Sequence, residues 1–300
     1  MDYEKIKDDA SLLSKSAKRI IVAVTVVVFW SVMILGTFLL FVDEDTMDHV
    51  AGFSSDSETE ETVESDTCNT YGLNIVGGVV TYYSKDVVDI DGDLMANQTS
   101  ADEIKYYIDQ ANEDENIQAI ILEINSGGGS AVGGEEMMTA IKNSKKPVVA
   151  YIRDIGASAA YLAATGAQRI FASRFSDVGS IGVTYSYLDY SEKNRREGIK
   201  YVELSSGKFK DTGDPDKALT PEELALYRRD IEITKDYFIQ MVAENRNLTI
   251  AEVSKLADGS TLMAKGALEA GLIDEIGSFN EVEAWIKDKI GAEVDVCWKN

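Results

Sequence analysis

The sequence runs to 300 residues with 45% hydrophobic content, enough for one large domain or two small ones. With 52 acidic against 29 basic residues the net charge is −23, which argues against nucleic acid as a partner, because phosphate binding needs clustered Lys and Arg. The single histidine, His49, lies in an acidic low-complexity stretch, so Ser-His-Asp triads, Cys-His pairs and His-ligated zinc are set aside, and no metal is expected.

Residues 1–19 are polar and carry Lys5, Lys7, Lys15, Lys18 and Arg19. Ile20 to Val42 then run without a charge, rich in Val, Ile, Leu and Phe. At about 1.5 Å per residue this stretch crosses a ~30 Å hydrocarbon core. It is longer than a signal-peptide core and is followed by Asp43-Glu44-Asp45 rather than a small-residue cleavage site, so an uncleaved transmembrane anchor is expected over 20–42. The basic residues precede it and none follows until Lys85, which predicts a cytoplasmic tail over 1–19 and an extracytoplasmic remainder. Ten Asp or Glu and no Lys or Arg between 43 and 67 predict a disordered acidic linker, taken as 43–70, ahead of a globular domain over 71–300.

Within that domain, Asn74 to Tyr83 reads as a strand or hairpin containing Gly77-Gly78, and Ala101 to Asn112 has helical spacing. Ile117 to Ile124 suits a buried parallel strand feeding a glycine loop, Asn125-Ser126-Gly127-Gly128-Gly129-Ser130, with a helix expected over Glu135 to Asn143. Lys146-Pro147 opens the next strand, which ends at Ser158 and a following helix. Arg169 to Ala172 reads as another strand, followed by Val178-Gly179-Ser180-Ile181-Gly182-Val183. Strand–helix alternation of this kind implies an α/β domain. Thr220-Pro221-Glu222-Glu223 is a strong helix start, and Leu224, Tyr227, Ile231, Thr234, Phe238 and Met241 continue one face, as core or subunit contact. Thr249 to Glu252 is a second capping box, with Gly259 as the stop. Short helices over Met263 to Ala270 and Glu281 to Ile290 and a closing strand over Val294 to Trp298 complete the chain. Spacing leaves open whether Cys68 and Cys297 pair.

Three segments carry candidate chemistry. Ser158 stands among Gly156, Ala157, Ala159 and Ala160 at a strand-to-helix turn, a place for a nucleophile or for a small serine packed at a bend. The run Gly127 to Gly129 lacks a following Gly-Lys-Ser/Thr, and Val132 stands where the last glycine of Gly-x-Gly-x-x-Gly belongs, so an oxyanion hole is favoured over a nucleotide cradle, and no cofactor is expected. Ser206-Gly207-Lys208-Phe209-Lys210-Asp211 offers lysines in a turn. With no usable imidazole, a lysine amine can take a serine proton once burial lowers its basicity by about three pH units, or ~4 kcal/mol. This reading requires Lys210 to be desolvated, with Ser180 orienting its amine, and leaves Lys208 as an ordinary surface charge.

Taken together, Asn-Ser-Gly-Gly-Gly, Gly-Ala-Ser-Ala-Ala-Tyr, Val-Gly-Ser-Ile-Gly-Val, Ser-Gly-Lys-Phe-Lys-Asp, Leu-Thr-Pro-Glu-Glu and the Ala-Gly-Leu-Ile-Asp-Glu-Ile-Gly run resemble, in order and spacing over residues 74–290, the signal peptide peptidase A family. The resemblance implies a Clp protease/crotonase-like fold of repeated ββα units with a helical C-terminal part, preceded by one transmembrane helix. It implies Ser158 as nucleophile, Lys210 as general base, Ser180 as its assistant, and Gly129 with Ala159 as oxyanion donors. It further implies peptide substrates, signal-peptide remnants above all, and a homo-oligomeric ring at the membrane, in which the lysine can come from a neighbouring subunit. Gly127 stands where the family usually has proline, and Ala159-Ala160 where it usually has two glycines. A crotonase-type acyl-CoA enzyme and an inert membrane scaffold are the rival readings.

Overall fold

Aliphatic runs broken by small-residue turns form, in a computed structural model that describes residues 68–83 and 97–300, a largely parallel sheet with helices packed on it. The anchor expected over 20–42 and the acidic stretch 43–67 lie outside the described residues. Among the described residues no helix is long and apolar enough to cross a membrane.

The strands are β1 (Thr70–Val80), β2 (Gln98–Ser100), β3 (Ala119–Gly129), β4 (Val148–Ala157), β5 (Arg169–Ala172), β6 (Asp177–Gly179), β7 (Thr261–Met263), β8 (Glu275–Ile276) and β9 (Val296–Trp298). The helices are α1 (Ala101–Glu113), α2 (Ala131–Lys142), α3 (Ala159–Ala164), α4 (Ser191–Arg196), α5 (Pro221–Arg246), α6 (Ile250–Leu256), α7 (Ala264–Glu269) and α8 (Phe279–Ile290). The main path runs β2-β1-β3-β4-β5-β8, all parallel, with β9 parallel to the start of β1. A side branch leaves the end of β4 through β6, which pairs antiparallel with β7.

Period-2 alternation sets the two faces of this sheet. In β3, Ile120, Leu122 and Ile124 join the larger core with α1, α2 and α3, while Ala119 and Ile121 join Val149, Tyr151 and Phe171 against Val282 and Ile286 of α8. Both faces are thus covered, as an aliphatic parallel strand requires. Tyr161, fully buried in α3, donates its hydroxyl to Leu272 O at 2.8 Å and so ties the central helix to the C-terminal part.

Several expectations are corrected. Of the strand and the hairpin left open over Asn74 to Tyr83, the structure has the strand, but it runs from Thr70 to Val80, with a register shift between Val76 and Gly78. The glycine run is not a loop after β3 but its last three residues, with Gly128 and Gly129 paired to Gly78 and Val79. Helix α2 starts at Ala131, four residues before Glu135, because Ser130 caps it by accepting the Gly133 N–H at 3.2 Å. Only 177–179 of the run around Val178–Val183 is strand, and Met263 closes a strand rather than opening α7. Helix α6 ends at Leu256, before Gly259. Of the expected stripe on α5, Phe238 is buried whereas Leu224 is exposed, so the long helix packs through its C-terminal third. The first unit shows two strands before its helix; the next two are single strand–helix units.

Cys68 and Cys297 are joined by a disulfide with Cα atoms 5.7 Å apart. The pairing follows from β9 lying in register with β1, Tyr71 opposite Cys297 and Gly72 opposite Trp298. A side chain at position 72 would fall 2.5 Å from the Trp298 ring, so glycine there lets the ring lie across the strand.

Candidate active site

Strand β4 delivers Ser158 to a corner. Its backbone sits at φ 51, ψ −125, in the region that non-glycine residues rarely occupy. Such strain persists only where the surroundings fix it. Here the Ser158 N–H donates to Gly179 O at 2.8 Å and its carbonyl accepts the Leu162 N–H at 2.9 Å, opening α3, all of whose residues are buried. The hydroxyl makes no capping bond to the helix and remains available for other chemistry.

The glycine run closes against this corner. A Cβ on Gly128 would lie 2.7 Å from Ser158 Cβ and 2.9 Å from both Ala157 O and Ala159 N, so only glycine allows β3 to pass. Ser126 supports the approach, its Oγ donating to Gly77 O at 2.6 Å and accepting the Gly128 N–H at 3.1 Å. Gly129, at φ 154, lies against Val79, whose carbonyl accepts the Ser130 N–H at 2.8 Å. From α2, Gly134 meets Ala159 so closely that a Cβ there would sit 2.7 Å from Ala159 O.

Ser158, Ala159, Gly129 and Ser180 all line one cavity of about 1100 Å³. Leu162, Phe238 and Met241 give it an apolar wall, and α5 also contributes Lys235. Ser180, at φ 50, donates its hydroxyl to Gly259 O at 2.9 Å and its N–H to Ser260 O at 3.0 Å, which fixes the side chain while leaving its oxygen as an acceptor.

Lys210 is placed differently. It is exposed in the turn after Gly207, its N–H bonded to Gly207 O at 3.1 Å, and is not among the residues lining this cavity within one chain. Lys208 is likewise exposed, 3.6 Å from Glu222 and over the Phe209 ring. One chain therefore gathers the serine, the second serine and both expected backbone donors around one cavity, and leaves the lysine outside it. Sequence reading missed Lys235, which follows Thr234 on the α5 stripe; the helical spacing itself was the available signal.

Comparison with known proteins gives a consistent family. Residues 140–294 match peptidase family S49. A putative protease of Methanocaldococcus jannaschii is 35% identical over 179 residues, covering 58% of this chain and 58% of the relative. A putative signal peptide peptidase SppA of Enterococcus faecium is 29% identical over 229 residues, covering 75% and 65%. The chain thus spans less than two thirds of the length of either relative. Among solved structures, a ClpP1 point mutant from Listeria monocytogenes superposes with a TM-score of 0.44 at 16% identity, covering 71% of this chain and 92% of that one.

Proposed function

This chain belongs to peptidase family S49, and we propose that it acts as a membrane-anchored serine endopeptidase that degrades cleaved signal peptides and similar apolar peptides. The observation that carries the reading is Ser158: a hydroxyl held on a strained corner, not used to cap its helix, facing a cavity with an apolar wall. In the proposed mechanism the Lys210 amine, made dry by a neighbouring copy in a homo-oligomeric ring, takes the Ser158 proton as Oγ attacks the scissile carbonyl. The oxyanion is received by the N–H groups of Gly129 and Ala159, and Ser180 orients the amine. The resulting ammonium protonates the leaving amine, and a water, deprotonated in turn by Lys210, hydrolyses the acyl-enzyme. This chemistry asks for no metal or cofactor.

Two further features support the placement. A disulfide is the expected state of paired thiols outside the reducing cytoplasm, in agreement with the extracytoplasmic domain that the basic residues before 20–42 imply. Ile233 and Tyr237, exposed one turn apart on the same side of α5, offer a face for a second copy.

A second reading rests on Lys235, the amine that lines the Ser158 cavity within one chain. Hydrolysis of a fluorogenic apolar peptide by the full chain in detergent separates the two. Ser158→Ala and Lys210→Ala should each abolish turnover while Lys235→Ala retains it. Mixed oligomers of the two inactive variants should regain activity if serine and lysine meet across an interface. Full activity in Lys210→Ala overturns the dyad, and full activity in Ser158→Ala overturns the peptidase reading.

A further inference from the structure

Among the described residues, three helices begin with capping boxes, and they provide an internal comparison. Glu252 and Glu281 are exposed, and each carboxylate bonds its own cap residue, Thr249 or Ser278. Glu223 is different. It is 2% exposed, and its carboxylate serves two clients. One oxygen closes the capping box, accepting from Thr220 N at 2.8 Å and Thr220 Oγ1 at 3.0 Å. The other leaves the helix altogether, accepting from Thr212 Oγ1 at 3.2 Å and Lys217 Nζ at 2.9 Å.

Those two partners bracket the excursion that follows Lys210. Thr212 is two residues beyond it, and Lys217 reaches back across the excursion to Glu203 at 3.4 Å. Tyr201 adds a bond to Asp211 at 2.9 Å. A helix cap needs none of this: the other two boxes form at the surface from their own four residues. A buried carboxylate with four hydrogen bonds, one of them charge-assisted, holds its partners more rigidly than an exposed one. The Thr220 backbone amide and then the Lys217 ammonium accordingly hold the Glu223 carboxyl down at about 2, well below the ordinary glutamate value.

We propose that Glu223 is a positioning residue for the reaction, its second carboxylate oxygen fixing the Lys210-bearing segment onto the start of α5 through Thr212 and Lys217. This rests on the reading of Lys210 as the base. Glu223 reaches no substrate itself; it sets where the amine can be. No residue between 207 and 223 lines the peptide-binding cavity, to which α5 contributes only from Ile231 onward, so loss of the clamp should slow the chemical step and leave binding alone.

The test uses the full chain in detergent with three variants. Glu223→Gln removes the charge, Thr212→Val removes the segment-side bond without touching the cap, and Glu252→Gln serves as a cap-only control. Two readouts are taken: kcat and KM on the apolar peptide, and amide hydrogen exchange over 207–213. Glu223→Gln and Thr212→Val should each lower kcat about fivefold or more with KM within about twofold, and speed exchange in 207–213 at least about tenfold. Glu252→Gln should change neither, whatever it does to Tm. The inference is overturned if exchange over 207–213 is unchanged in both variants, or if kcat is unchanged although exchange has risen. Full activity in Lys210→Ala would instead remove the base assignment, while the exchange result would still decide whether the clamp exists.

Discussion

Replacing Gly128 by alanine tests the packing at the serine corner directly. At φ 102 a non-glycine residue costs about 1–2 kcal/mol. The added methyl would also fall within 3 Å of Ser158 Cβ, Ala157 O and Ala159 N, where overpacking adds about 1–3 kcal/mol. A loss of about 3 kcal/mol in a domain of this size lowers Tm by ~10 °C. Relief of a 2.7 Å contact to ordinary van der Waals distance moves the Ser158 side chain by about 0.7 Å. Misplacement on that scale costs on the order of 100-fold in rate. The neighbouring Gly127→Ala is the control, since a Cβ there meets nothing within 4 Å and its φ is not positive. Thermal melting and peptide hydrolysis on the two variants give the comparison. If Gly128→Ala melts and turns over like the parent, or if Gly127→Ala is equally damaged, the account of the corner is wrong.

Two further outcomes follow from the structure. Reduction of the Cys68–Cys297 bond, which spans 229 positions of sequence, should lower stability by up to about 5 kcal/mol on loop-entropy grounds, read as a drop in Tm on adding reductant that Cys297→Ser reproduces and that reductant no longer alters in that variant. The Glu223 carboxyl titrates lower in the folded protein than its ordinary value of 4.5, so its stabilising effect is complete above that pH and is lost as pH falls towards about 2. Denaturant unfolding followed by circular dichroism should therefore show the parent's stability margin over Glu223→Gln shrinking as the medium is acidified, and a margin that widens instead would show the sign to be wrong.

Local chemistry was legible where it is self-contained. Thr220 with Glu223 and Thr249 with Glu252 marked two helix starts because a capping box needs only four residues. The aliphatic cores of β3 and β4 were equally plain. Ser158 was readable as a corner residue because a strand-forming run meets a helix-forming one there. What failed needed a partner from elsewhere in the chain. The triple glycine looked like a loop, and it is strand because β1 pairs with it as far as Val79. Three-residue strands such as β2, β6 and β7 carry too little pattern to register alone. The cysteine pair was undecidable until β9 was found beside β1. Lys210 was marked by its neighbours in sequence, whereas its absence from the walls of the Ser158 cavity is a matter of tertiary placement.

The disulfide beside the β1–β9 pairing has a mechanical side. Tension entering the domain at Cys68 passes through the sulfur bridge into β9 and is shared by two adjacent parallel strands. Asn300 adds a stitch, bonding both the backbone and side chain of Asn74. Strands loaded lengthwise in shear resist by many bonds at once, whereas an edge strand peeled sideways yields one bond at a time. A tug at this edge is therefore borne collectively by β1 and β9.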